Sequence, residues 1–253
     1  MTLWKREIVR FYRQRSRIIG ALATPVLFWL LLGSGFAESF RSPGAEGVGY
    51  AEYFFPGAMV MVILFTAIFS TISVIEDRKE GFLQAVLVAP VPRSAIVLGK
   101  VLGGSSLALG QALLLLLAAP LVGVDLTLSG LIGLLLLLAV IAVGLTTLGF
   151  LIAWKMESTQ GFHAVMNLLL IPMWLLSGAF FPADGASTWL RWLMAANPLT
   201  YGMAAVRRCI DPAAVATDVP GLGISVVLTV AFTAWAFVAA SRMASRPLDP
   251  ELA

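Results

Sequence analysis

Charge is what this chain has least of. Asp, Glu, Lys and Arg supply 12% of its 253 residues while 59% are apolar, and the mean hydropathy is +0.92. An ordinary soluble domain carries about twice that charged share, so the composition excludes a water-soluble fold and gives no surface for nucleic acid. Cysteine occurs once, at Cys209, which excludes an intrachain disulfide. Histidine also occurs once, at His163, and Ser177 lies fourteen residues on in the same predicted helix. At 1.5 Å per residue the two are about 21 Å apart, too far for a Ser-His dyad. No group of His, Cys, Asp and Glu has metal-ligand spacing. A phosphate loop is missing too: Gly99-Lys100 is followed by Val101, and Ser94 stands where the loop's first glycine belongs. Neither an enzyme nor a metal site is expected, and any nucleotide must be hydrolysed by another chain.

What the chain does have is long uncharged runs. They cover residues 18–37, 53–75, 101–124, 126–154, 158–183 and 219–241. Each reaches the ~20 residues a helix needs to cross a ~30 Å hydrocarbon core. Runs such as Leu113 to Leu117 do not alternate, which excludes a transmembrane barrel. The expectation is an all-α, multi-pass membrane protein with six transmembrane helices. With the N-terminus in the cytoplasm, thirteen Lys and Arg fall on cytoplasmic segments and four, Arg41, Arg191, Arg207 and Arg208, outside. Both termini are therefore expected inside, residue 80 inside and residue 187 outside. Residues 192–206 are too short for a seventh span and contain Asn197-Pro198, so a partly inserted or interfacial segment is expected there.

Two segments stand out against the apolar background. Ahead of the first span, Trp4, Ile8, Phe11 and Tyr12 share one helical face, with Lys5, Arg6, Arg10 and Arg13 among the basic residues elsewhere. This predicts an N-terminal interface helix over residues 1–17, aromatics at headgroup depth and cations near anionic lipid. Between the second and third spans, residues 76–100 hold seven ionisable groups. Ser73-x-x-Glu76 fits a capping box, Asp77 and Glu80 favour a helix start, and Phe82, Leu83, Val86 and Leu87 make an apolar face until Pro90 and Pro92 stop the helix. An amphipathic helix of this kind suits either docking on a soluble partner or lying on the membrane surface.

These features, taken in order, resemble the permease subunits of type-2 ATP-binding-cassette exporters, among them daunorubicin-type drug permeases and lipo-oligosaccharide and polysaccharide permeases. The resemblance is carried by Glu80-Gly81-x-Leu83 with Pro90 and Gly99-Lys100, by Ser177-Gly178-x-Phe180-Phe181-Pro182 after the fifth span, and by Asn197-Pro198-Leu199-Thr200-Tyr201 ending at Arg207. It covers nearly the whole chain as a single permease domain. It implies a coupling helix over 76–90, seated on a separate ATPase subunit that binds ATP and magnesium, with Glu76, Asp77, Arg78, Glu80, Gly81, Phe82, Leu83, Val86, Leu87 and Pro90 in the coupling role. It also implies a re-entrant outer segment over 182–208, with Phe180, Phe181, Pro182, Asn197, Pro198 and Tyr201 as an outer gate, and a homodimer in the cytoplasmic (inner) membrane. Phe82 and Gln84 depart from the family pattern, which more often has a small hydroxyl and an acidic residue there.

Substrate recognition is the least legible part. Phe65, Phe69, Asn167, Met173 and Trp174 are candidates for a substrate path, while Gln111, Thr146 and Thr147 fit interhelical hydrogen bonding at least as well. Asp125 and Lys155 fall at predicted span ends, leaving no acid at the midplane, so a hydrophobic or amphipathic cargo is expected: a drug or lipid-like molecule, or alternatively a lipid-linked oligo- or polysaccharide. A membrane-embedded enzyme or assembly factor is the reading from another class. Gly99-x-x-x-Gly103 and Gly104-x-x-x-Ala108 offer small faces for close helix contact, between chains or within one.

Overall fold

A computed structural model describes residues 2–36, 49–124, 126–211 and 220–245. Arg41, Asp125 and Arg246 lie outside the described residues. Every regular element among the described residues is helical. In chain order these are α1 (Thr2–Arg13), α2 (Arg15–Gly35), α3 (Tyr50–Lys79), α4 (Phe82–Val88), α5 (Arg93–Leu116), α6 (Leu128–Lys155), α7 (Thr159–Trp174), α8 (Thr188–Ala196), α9 (Pro198–Ile210) and α10 (Leu222–Ala244). Six helices are long and apolar enough to cross a membrane: α2, α3, α5, α6, α10, and α7 with its continuation to Ala179. They fall on the six uncharged runs of the sequence.

The longest of them organises the rest. α3 has 30 residues and is buried along most of its length, packed against α2, α5, α6 and α7. At 1.5 Å per residue it is about 45 Å long, well beyond a ~30 Å hydrocarbon core. Its last turns, carrying Glu76, Asp77, Arg78 and Lys79, therefore extend past the apolar layer. α10 closes the other side of the bundle against α6 and α9.

Helix contact inside the bundle depends on missing side chains. A Cβ on Gly104 would stand 2.6 Å from Ser70 Oγ on α3 and 2.7 Å from Thr146 Cγ2 on α6, and one on Gly103 2.6 Å from Glu7 Cβ on α1. Both small-residue motifs of α5 thus serve contacts within this chain: Gly99 and Gly103 seat α1, and Gly104 seats α3 and α6. Thr66 Oγ1 on α3 lies 2.8 Å from Gln111 Oε1 on α5, an interhelical bond of the expected kind, whereas Thr147 donates to its own Val143 carbonyl.

One local expectation is overturned. Ser73 and Glu76 do not cap a new helix, because α3 runs unbroken through both to Lys79. Ser73 Oγ donates instead to Glu7 Oε2 at 2.6 Å, and Glu76 accepts from Arg10 and Arg17. Partners from α1 and from the first turn of α2 remove any reason for the chain to turn there. The break comes at Gly81, in the left-handed region at φ +73, where a side chain would be strained. α4 follows, stops at Val88, and Pro92 precedes the first turn of α5, as the prolines predicted.

Candidate functional site

The charged end of the bundle holds a closed ionic cluster. Asp77, fully buried at 0% exposure, accepts a two-pronged bond from Arg6, with Nη1 to Oδ2 at 2.9 Å and Nη2 to Oδ1 at 2.7 Å, and is also bonded by Arg10 and Lys100. The buried Lys100 ammonium reaches Glu7 Oε1 at 2.7 Å and Ser73 Oγ at 3.3 Å. Arg10 continues to Glu76 at 2.8 Å and Glu80 at 3.3 Å, and Arg17 closes on Glu76. Four cations, Arg6, Arg10, Arg17 and Lys100, meet four carboxylates, Glu7, Glu76, Asp77 and Glu80. A set balanced in this way satisfies its own desolvation and offers no net charge to a ligand. The bond to Asp77 raises the Arg6 pKa further, so the guanidinium stays charged.

This cluster changes the part played by α1. Of the cations expected near lipid headgroups, Arg6 and Arg10 instead hold α1 against α3 and Arg17 holds the start of α2 there, while Lys5, Arg13 and Arg15 stay exposed. Of the aromatic face, Phe11 is buried, Ile8 half-buried, Tyr12 exposed, and Trp4 Nε1 donates to Ser106 on α5 at 3.1 Å. The sequence held one signal of this pairing: six basic residues before the first span, and three acids, Glu76, Asp77 and Glu80, within five positions after the second. Nothing in it said which would meet, since the pairs that join residues 6–17 to α3 and α5 lie 59 to 93 positions apart.

α4 is tied into the same structure. The Arg6 guanidinium sits 3.7 Å from the Phe82 ring centroid, a cation–π contact that joins α1 to the first residue of α4. Leu83 is 2% exposed and belongs to the hydrophobic core, with Val86 and Leu87 packed against it. The apolar face of α4 therefore turns inward. Gln84, Ala85, Val88 and Ala89 face outward with Pro90, Val91 and Pro92, and Val88 is 84% exposed. Arg78 links the same end to the next connection, donating to the Trp154 carbonyl and to that of Met156 at 3.2 Å.

At the opposite end α7 is broken. Beyond Trp174 it widens into a π-helical turn, and Gly178 is left-handed at φ +80. α8 and α9 then form a helical hairpin. Cys209 Sγ lies over Gly133, whereas Gly202 faces Ile141, eight residues or about 12 Å further along α6. The hairpin tip at Asn197 is thus directed into the bundle. Asn197 caps α9 as its sequence predicted, accepting from the Leu199 amide at 3.0 Å, with Pro198 in the first helical position, and its Nδ2 donates to Met173 O at 2.6 Å. Tyr201 Oη donates to Ala195 O at 2.8 Å. Phe180 packs edge-on against Tyr50, Phe54 and Phe181. Pro182 precedes a single 3-10 turn.

The candidate path residues separate into two groups. Phe65 and Phe69 stack on α3 with ring centroids 6.5 Å apart, and Phe69 meets His163 of α7 at 5.8 Å, while Gly20 of α2 faces the Phe69 ring. Asn167 is exposed one turn further along α7. Phe69 thus lies on α3 between Gly20 of α2 and His163 of α7, and Phe65, Phe69 and His163 are half-buried. Trp174 does not join them, because it is buried and its Nε1 donates to Gly57 O at 2.9 Å beside Phe54. Met173 is half-buried on the side that meets the hairpin tip.

Comparison with known proteins agrees with this architecture. The family described as ABC-2 type transporter matches residues 1–210. The chain is 29% identical over 208 residues to a putative transport permease, ycf38, of Cyanophora paradoxa, covering 81% of this chain and 71% of that one. It is 24% identical over 210 residues to Nodulation protein J of Rhizobium leguminosarum bv. viciae, covering 82% and 80%. It is also 24% identical over 233 residues to the inner membrane transport permease YadH of Escherichia coli strain K12, covering 91% and 90%. With six apolar helices and a family match over most of its length, the chain belongs to the ABC-2 type transporter permeases.

Proposed function

We propose that this chain is the transmembrane subunit of an ATP-driven exporter, moving a hydrophobic or amphipathic molecule outward across the cytoplasmic membrane while a separate ATP-binding-cassette subunit binds ATP and magnesium. The observation that carries the reading is the attachment of α4 to the charged end of α3. Phe82 lies beneath Arg6, Leu83 is in the core, and Arg6, Arg10 and Lys100 all converge on Asp77, five residues before α4 begins. A load applied to α4 is therefore delivered to the helix against which α2, α5, α6 and α7 pack. The charged end is cytoplasmic in this reading, α4 is the coupling helix, and its outward side, Gln84, Ala85 and Val88, meets the ATPase.

Alternating access follows from the same mechanics. Two copies face each other across the side of α3 that carries Phe65 and Phe69, and displacement of α3 changes the width of the cavity between them. Its lining of aromatic rings, His163 and Asn167 carries no carboxylate, which suits a lipophilic cargo and not a cation. The test is copurification with the ATPase encoded by a neighbouring reading frame, followed by reconstitution and a screen of lipophilic drugs, lipids and lipid-linked glycans. Stimulated ATP hydrolysis by a lipophilic compound is the expected result. Stimulation by glycan-linked lipids alone would move the substrate class, and the absence of any associated ATPase would overturn the reading.

A further inference from the structure

The break in α7 holds a cation that the exporter reading does not use. With Gly178 left-handed and the chain turning away after it, the carbonyls of residues 173–180 cannot all be satisfied along the helix and need donors from elsewhere. α9 and α3 supply them. Arg207 Nη2 donates to Gly178 O at 2.9 Å and to Ala179 O at 3.4 Å, while Nη1 donates to Tyr53 O at 2.9 Å in the first turn of α3. Its guanidinium carbon lies 3.9 Å from the Tyr53 ring centroid. Tyr53 Oη adds a bond to Gly178 O at 3.2 Å, and Tyr50 Oη one to Phe180 O at 3.0 Å. A single planar fork thus joins three elements while stacking on a ring, a task no ammonium can perform.

The electrostatics make this arrangement selective for one state. Among the described residues no carboxylate forms an ion pair with Arg207; the groups that receive its charge are carbonyl dipoles and a tyrosine face. A half-buried cation held in this way, with carbonyls in place of a carboxylate, is stable only while the carbonyls converge on it. Separation of α3 from the α7 break pulls Tyr53 O and Gly178 O apart and forces the fork to release one of them. We propose that Arg207 is the positioning residue that holds the outer segment closed, by tying α9 to the α7 break and to the first turn of α3. The proposal rests on the exporter reading, because it assigns this contact to the closed state of a gate.

Ser177 provides the reporter. It is 2% exposed beside the break, and Ser177→Cys is nearly isosteric. The full chain carrying Cys209→Ser and Ser177→Cys is reconstituted in nanodiscs with its copurified ATPase, and maleimide labelling is followed alongside hydrolysis with and without substrate. Arg207→Met is expected to raise the labelling rate by about tenfold, the scale of one lost charged hydrogen bond, and to raise basal hydrolysis so that the stimulated-to-basal ratio falls. Arg207→Lys, which keeps the charge without the fork, falls between. Tyr53→Phe removes one bond of the set and raises labelling less, which gives a second measurement if Arg207→Met fails to assemble. Unchanged labelling in an assembled Arg207→Met complex, or equal loss of thermal stability in the Met and Lys variants with no change in labelling, would overturn the proposal. If no ATPase copurifies, the exporter reading fails while labelling still decides whether Arg207 closes the segment. Unchanged labelling with normal substrate-stimulated hydrolysis sinks the Arg207 proposal alone.

Discussion

Lys100 has no route to water, and neither has the carboxylate it meets. Its side chain is 3% exposed and that of Asp77 0%, with Glu7 at 6% on its other side. Removing one partner from a buried set costs far more than the set contributes, because the remaining charges keep their desolvation penalty and lose their compensation. Lys100→Met is therefore expected to destabilise the purified protein by about 3–5 kcal/mol, read from unfolding in mixed micelles. Lys79→Met, at an exposed position on the next helix end, should change it by no more than about 0.5 kcal/mol. Equal effects of the two would mean that the cluster is solvated and that Lys100 is an ordinary flanking charge. At this scale the sequence showed where charge collects and not how it pairs. Glu7 is unremarkable among six basic neighbours, and only the placement of α1 across Gly99 and Gly103 brings it to Lys100.

α4 shows how an element can be legible in outline and ambiguous in orientation. Its apolar face and its proline stop were readable, because both depend on neighbours in sequence. The direction in which that face points was not, because a two-turn helix with one apolar side fits a partner's groove and its own bundle equally well. Leu83 resolves this by entering the core at 2% exposure while Val88 stands at 84%. The two positions now predict different failures. Leu83→Asp places a carboxylate in an apolar site and should cost several kcal/mol, seen as loss of assembled protein in the membrane. Val88→Asp leaves folding within about 0.5 kcal/mol and acts only on what α4 touches, so the protein inserts and copurifies less ATPase, or hydrolyses ATP without transport. Normal coupling in Val88→Asp vesicles would mean that the outward side of α4 is not the contact. The start of α9 was legible for a different reason: Asn197-Pro198 is a local cap signal that needs no tertiary partner, whereas the fold of the whole outer segment depends on contacts distant in sequence.

For the whole molecule the two ends have opposite characters, and that asymmetry fixes a testable orientation. One end carries the ionic cluster, α4 and most of the Lys and Arg residues; the other carries the broken α7, the hairpin and the exposed indoles Trp189 and Trp192. Indoles favour the membrane–water boundary on either side, but a concentration of Lys and Arg marks the cytoplasmic one. The charged end, with α4, is therefore expected in the cytoplasm and the hairpin outside. Single cysteines at Gln84 and Ser187 read this directly, since both native side chains are exposed and neither forms a described side-chain hydrogen bond. Gln84 is a better reporter than Glu80, whose carboxylate is bonded by Arg10. The native thiol must be removed by Cys209→Ser; burial pushes its pKa up, so it labels slowly at neutral pH, but a slow background would blur the sidedness. In intact cells an impermeant maleimide should label the Ser187→Cys protein at once and the Gln84→Cys protein only after the membrane is opened. Labelling of both from outside would place α4 and the hairpin on one side. An even number of crossings between residues 84 and 187 would then be required, in place of the three that α5, α6 and α7 make.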